Sequence, residues 1–185
     1  MRIASVVTAV GLVAAAFALP AAAQGRGLYL GYNAGQSKYN FSCTGTCKDT
    51  GAGYSLFAGL GLHPNVALEF GYADLGKTTF GSSNLRAQVW ELSGLGSWWF
   101  GTAQQFGVFG RLGVYTGELK SSTPSTGAEI KHGTTDLTYG IGGQYNLSRR
   151  WGTRLEWQRF SKMGGGGFGV KNDVDLLSLG ILYKF

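Results

Sequence analysis

The stretch Val66-Ala67-Leu68-Glu69-Phe70-Gly71-Tyr72 decides how the rest of the chain is read. Val66, Leu68, Phe70 and Tyr72 fall on one side of an extended chain, and Ala67, Glu69 and Gly71 on the other. Successive side chains of a strand point to opposite faces, so this is a strand with one apolar face and one small or polar face. The tight turn His63-Pro64-Asn65 stands just before it. Behind that turn the same period runs through Leu62, Leu60, Ala58, Leu56, Tyr54 and Ala52, with Gly61, Gly59, Phe57, Ser55 and Gly53 as alternates.

The period recurs along the chain. Predicted strands cover about 26–37, 51–62, 66–74, 86–100, 105–116, 134–146, 150–160 and 174–185. The segment 86–100 is the least regular, because Val89, Leu95 and Trp99 fall on its polar face. Short connections at 63–65, 101–104 and 147–149 alternate with long ones near 38–50, 75–85, 117–133 and 161–173. That alternation suits an up-and-down barrel with short turns at one end and loops at the other. Composition agrees. The 185 residues include 32 Gly, only 3 Pro, 14% aromatic and 14% charged residues. A disordered chain would be rich in charge and poor in aromatics. Collagen needs a three-residue Gly period, which is absent, and so much Gly disfavours a helical bundle.

Residues 1–23 read as a cleaved signal peptide. Arg2 is followed by an apolar run from Ala9 to Leu19, then Pro20 and the small residues Ala21-Ala22-Ala23. The run is too short to span a bilayer as a helix. Export makes a disulfide between Cys43 and Cys47 the expected state of that pair, and no nearby Cys or His completes a metal site. The mature domain, 24–185, contains no later apolar run long enough for a spanning helix, so only a barrel could cross a membrane.

The charges tell which face points out. Glu69, Glu91, Arg111, Arg154 and Glu156 fall mid-strand among Gly, Ala, Ser, Thr and Gln. A narrow eight-stranded interior needs small residues with a few long ones between them. The other face carries Leu, Val, Ile and aromatics. Trp98, Phe100, Phe106, Tyr145, Trp151 and Phe185 gather near the short turns, and Tyr54 and Tyr72 nearer the loops. Two aromatic belts around an apolar band suit a lipid-facing exterior.

Three segments carry a family likeness: Gly27-Leu28-Tyr29-Leu30-Gly31, Val66-Ala67-Leu68-Glu69-Phe70-Gly71-Tyr72, and Leu177-Ser178-Leu179-Gly180-Ile181-Leu182-Tyr183-Lys184-Phe185. With them the chain resembles the OmpA-like transmembrane domain and related small Gram-negative outer-membrane barrels. The resemblance implies an all-β, eight-stranded antiparallel up-and-down transmembrane β-barrel in the outer membrane, with both termini in the periplasm. It implies lipopolysaccharide and other outer-membrane lipids as neighbours. It also implies that Tyr183 and Phe185 form the signal read by the barrel-insertion machinery. The sequence stops at Phe185, so no peptidoglycan-binding domain is expected and the cell-wall tethering role is not carried over. The Cys pair is not a feature expected across the family.

Five buried-face charges form the main candidate site. Three Glu and two Arg facing one interior would pair, because an unpaired buried charge is costly. They either close the barrel or line a narrow pore for small solutes. Outer-rim Lys and Arg either pair with lipopolysaccharide phosphates or form a solvated surface, and the loops are candidates to meet an external partner. The net positive charge is shared between the two ends, while the interior set of three Glu and two Arg is slightly negative, unlike a nucleic-acid footprint. No cofactor, metal or oligomer is expected, and no enzyme activity. The remote alternative is a lipid A hydrolase using His132 near Ser121, Ser122 and Glu129. Gly164, Gly166 and Gly169 match a phosphate-loop pattern only through a run of Gly, with no helix after it.

Overall fold

The computed structural model describes residues 27–40, 47–80, 83–101, 104–122, 129–163 and 172–185. The expected signal peptide at 1–23, Cys43 and the run of Gly at 164–167 lie outside them. The strands are β1 (Leu28–Tyr39), β2 (Cys47–Lys48), β3 (Thr50–His63), β4 (Val66–Phe80), β5 (Ser83–Phe100), β6 (Phe106–Ser122), β7 (Glu129–Asn146), β8 (Trp151–Met163) and β9 (Asn172–Lys184). All pair antiparallel. The two-residue β2 is a spur on β4, with Cys47 opposite Phe80. The eight long strands close into a ring, because β4 pairs with β5 and β1 with β9. Closure removes every long free edge.

The register also sets the tilt. Start at Leu60 on β3 and follow the partners: Leu68, Gly94, Leu112, Tyr139, Arg159, Asp175, Lys38 and then Thr50. The row returns to β3 at Thr50, not at Leu60. A cross-strand row therefore climbs toward the loop end as it passes from β4 round to β1. This stagger is what inclines the strands of a closed barrel.

The apolar face points out. Leu112 is 65% exposed, Ile141 62% and Leu179 63%, while Glu69 and Glu156 are almost fully buried. Water would not tolerate a continuous apolar belt of that kind, but hydrocarbon would. The strands alternate as the sequence indicated, but they run further. β4 continues to Phe80 and β5 begins at Ser83, so the connection expected near 75–85 shrinks to residues 81–82. β6 and β7 likewise extend into the expected loop, leaving 123–128 between them. Their ladders persist beyond the point where apolar alternation stops, because polar outward residues suit strands standing in water.

Val89 and Leu95, two of the three irregular residues of 86–100, are buried inside the barrel, and Trp99 is half-buried. Val89 belongs to an apolar layer toward the loop end, with Tyr39, Leu75, Tyr115, Phe160 and Leu176 among its members. Leu75 turns inward just before a bulge, where the β4–β5 register shifts between Asp74 and Lys77. Gly76 takes φ +76 there, and its N–H donates to Asp74 Oδ1 at 2.9 Å. A Cβ at Gly76 would stand 2.1 Å from the Ala52 carbonyl oxygen. Gly76→Ala therefore costs at least about 1–2 kcal/mol through its left-handed backbone. A lower urea midpoint measures it. Gly110→Ala, whose Cβ meets nothing within 4 Å, is the control that leaves the midpoint unchanged.

Candidate functional site

Strand alternation aims the five charges at one another. Glu69 comes from β4, Glu91 from β5, Arg111 from β6, and Arg154 and Glu156 from β8. Arg111 lies at the centre. Its Nη2 donates to Glu69 Oε2 at 2.5 Å, its Nε to Glu156 Oε1 at 2.5 Å, and its Nη1 to Glu91 Oε1 at 3.3 Å. Arg154 Nη1 donates to Glu69 Oε1 at 2.8 Å and lies 3.9 Å from Glu156 Oε2. All five side chains are at most 3% exposed. Burial in low dielectric makes each charge depend on its partners, and among the described residues Arg111 alone reaches all three carboxylates.

The expected five are joined by residues the sequence reading did not single out. The Tyr29 hydroxyl donates to Glu69 Oε1 at 2.6 Å. Gln158 Nε2 donates to Glu91 Oε2 and, at 2.9 Å, to Thr138 Oγ1. Gln144 Oε1 accepts from Arg154 Nη2 at 3.2 Å. These neutral groups meet carboxylate lone pairs and guanidinium protons that the charges leave over. The Arg154 guanidinium also lies between two rings, 4.6 Å from the Phe57 centroid and 4.7 Å from that of Phe109. Rings in these positions favour a cation. Phe57 and Phe109 stand on the small-residue face of the alternation, which was the available signal.

Those rings have room because glycine faces them. Gly31 pairs with Phe57, Gly59 with Tyr29, and Gly142 with Phe109. A Cβ on Gly31 would lie 2.1 Å from the Phe57 ring, and one on Gly59 2.1 Å from the Tyr29 ring. On the short-turn side of Arg154 there is a vestibule of about 210 Å³, lined by Tyr29, His63, Trp99, Gln144 and Lys184. Among the described residues no group of three or more His, Cys, Asp or Glu is arranged to hold a metal. For the hydrolase alternative, the ladder sets Ser122 opposite Glu129 and His132 opposite Leu119, so the serine and the acid share a cross-strand row that the histidine does not join.

Residues 8–185 match the family described as outer membrane protein beta-barrel domain. The chain belongs to this family of outer-membrane β-barrels. It is 30% identical over 142 residues to outer membrane protein A of Serratia marcescens, covering 72% of this chain and 39% of that protein. With outer membrane protein A of Shigella flexneri it shares 28% over 199 residues, covering 100% of this chain and 56% of that protein. The chain thus spans about half the length of these relatives. Among solved structures, the barrel of Neisserial surface protein A superposes with TM-score 0.70 at 14% identity, covering 85% of this chain and 97% of that one. Ail, the attachment invasion locus protein of Yersinia pestis, gives 0.57 at 16% identity, with 86% and 97% covered. These two establish the shared fold.

An outer-membrane barrel sits in the Gram-negative outer membrane with its short turns in the periplasm and its longer connections outside. In this barrel the periplasmic girdle includes Trp98, Phe106, Trp151 and Phe185, all exposed. Tyr183 meets Trp151 edge-on at 5.0 Å and Phe185 at 5.1 Å. The outer girdle includes Tyr54, Tyr72 and Trp90. Above it, on one side, Lys38, Asp175 and Arg159 form a row of alternating sign. Arg159 donates to both Asp175 oxygens, at 2.6 and 2.9 Å. Partial burial opposes the Asp175 charge, but hydrogen bonds from Arg159 and Asn40 outweigh it and hold this carboxyl below the usual carboxylate range.

Proposed function

We propose that this outer-membrane barrel does not conduct, and that its centre is closed by the Arg111 network. Its work is then structural and surface-directed, carried by the outer strand extensions and loops. The observation that carries this reading is Arg111 held by Glu69, Glu91 and Glu156 at once, with no side chain of the group left to swing free. The largely apolar layer on the outer side, from Tyr39 to Leu176, supports it further, since its Tyr39 and Tyr115 hydroxyls are already spent on the carbonyls of Leu75 and Ser161. Lipopolysaccharide and other outer-membrane lipids are the immediate partners, an external surface ligand is met by the loops, and the barrel works as a monomer. Insertion uses the Tyr183 and Phe185 signal, and Cys43 and Cys47 form a disulfide. No catalytic role is assigned to His132.

Refolded protein is first shown to be a barrel by its heat-shifted gel band. It is then added to a planar bilayer under voltage. Silence is the expected result. Discrete conductance steps that change in Glu156→Gln would overturn the reading and make the five charges the lining of a pore.

A further inference from the structure

The vestibule on the periplasmic side of Arg154 is rich in donors and poor in acceptors. Of the five interior charges only Arg154 lines it, and among the described residues around it none is Asp or Glu. Arg154 gives Nη1 to Glu69 and Nη2 to Gln144, while its buried Nε–H has no acceptor. A buried donor without a partner is costly and rare, and it marks a place where a water or a ligand belongs. The nearest carboxylate, Glu69, has both oxygens engaged. Oε1 accepts from Tyr29 and Arg154, and Oε2 from Arg111.

Two further donors line the same space. Lys184 Nζ donates to Asn146 Oδ1 at 2.8 Å, which uses one of the three protons of an ammonium. It stands 5.5 Å from the centre of the Trp99 ring. His63 accepts the Asn65 N–H on Nδ1 at 3.4 Å, so a neutral ring carries its proton on Nε2. The wall is apolar. The Trp99 indole N–H is turned to the Pro64 carbonyl at 3.1 Å, and Leu95 and Leu182 are almost fully buried beside the space. At about 210 Å³ the vestibule has room for roughly seven waters of ~30 Å³ each, or for a molecule of roughly six to ten non-hydrogen atoms.

We propose that the vestibule binds a small organic carboxylate from the periplasm, with its oxygens toward Lys184 and Arg154 and its apolar body against Trp99, Leu95 and Leu182. An ionised carboxylate only accepts hydrogen bonds, which suits a site lined by donors. An inorganic anion would leave the apolar wall unused. A neutral amide would bring donors to a site short of acceptors. The carboxylate comes from a free acid or from the last residue of a peptide entering end-on. This site faces the opposite compartment from the surface role proposed above and stands independently of it.

The test uses the full chain in nanodiscs, with the heat-shifted band checked for every variant. The indole N–H NMR signal of Trp99, assigned by its loss in Trp99→Phe, is followed as benzoate is added. A saturable shift in the millimolar range is expected for a ligand of roughly nine non-hydrogen atoms. Benzamide, which has the same shape and no charge, should bind at least about tenfold more weakly. Lys184→Met should weaken benzoate by about tenfold, through the loss of a charge-assisted contact. Ala67→Leu, which fills the vestibule, should abolish the shift, and Lys38→Gln at the outer end should leave it unchanged. An acetylated peptide ending in a free Leu carboxylate separates the two sources. Binding tighter than benzoate assigns a chain terminus, and no shift beside a benzoate shift assigns a free acid. The proposal is overturned if neither probe gives a saturable shift up to on the order of 100 mM. Benzamide or inorganic phosphate binding as well as benzoate overturns it too, as does parent-like binding by a folded Ala67→Leu. Should Lys184→Met not insert, Ala67→Leu and the benzamide comparison still decide. Loss of the heat-shifted band in the parent would count against the barrel itself, and conductance against the closed centre, so each failure is distinguishable.

Discussion

Arg111→Met should lower the stability of the refolded barrel by about 3–5 kcal/mol, the cost of breaking a buried ion pair by removing one partner. Arg111 donates to Glu69, Glu91 and Glu156, and no other described side chain reaches all three. Without it, Arg154 is left to Glu69 and a distant Glu156, while Glu91 keeps its hydrogen bond from Gln158 but has no cation. Methionine preserves much of the volume, so the loss isolates the charge. Urea titration of tryptophan fluorescence in lipid vesicles measures it, with the heat-shifted band as an independent probe. Arg111→Lys keeps the charge but not the planar fork, and should fall between the two. A shift below about 1 kcal/mol would mean that the carboxylates are solvated, since exposed pairs contribute no more than that.

The second large effect is expected at Gly31. Gly31→Val drives a side chain into the Phe57 ring, whose nearest atom is 2.1 Å from the Cβ position. Overpacking of this kind costs about 1–3 kcal/mol, and this contact belongs at the upper end. All three nearest atoms belong to the Phe57 ring, so the clash should vanish when the ring does. The pair Gly31→Val, Phe57→Ala should therefore be more stable than the sum of the single changes allows, by at least about 1 kcal/mol in a double-mutant cycle. Simple additivity would show that the ring does not occupy the glycine's space.

The barrel and the five buried charges were legible because both depend on a period along one strand. Glu69 among Ala67, Gly71 and Ala73 announces its face without reference to any other strand. What stayed hidden depends on which residues stand side by side. Phe57 looks like an outlier on a small-residue face until the ladder sets it against Gly31. Val89 looks like noise until it meets Tyr115 and Phe160 in one layer. The outer ends of β4 to β7 look like loops in the sequence, because Lys77, Lys120 and Lys131 carry no apolar alternation and Arg86 stands at the very start of its predicted strand. Their arrangement in one row exists only in the register.

Ring closure also bears on the time course of assembly. β3 and β4, β4 and β5, β5 and β6, and each later pair through β8 and β9 are hairpin neighbours, so their contacts form between segments close in sequence. The β1–β9 seam is different. Tyr29 meets Lys184 across nearly the whole described length of the chain. Such long-range pairing must wait for everything between, and slow loop closure follows from the entropy of joining distant segments. Until the seam zips, β1 and β9 are two bare edges on a curved sheet whose apolar side already faces out. The vulnerable moment in this protein's life is that interval, and the strength of the β1–β9 pairing governs how short it is.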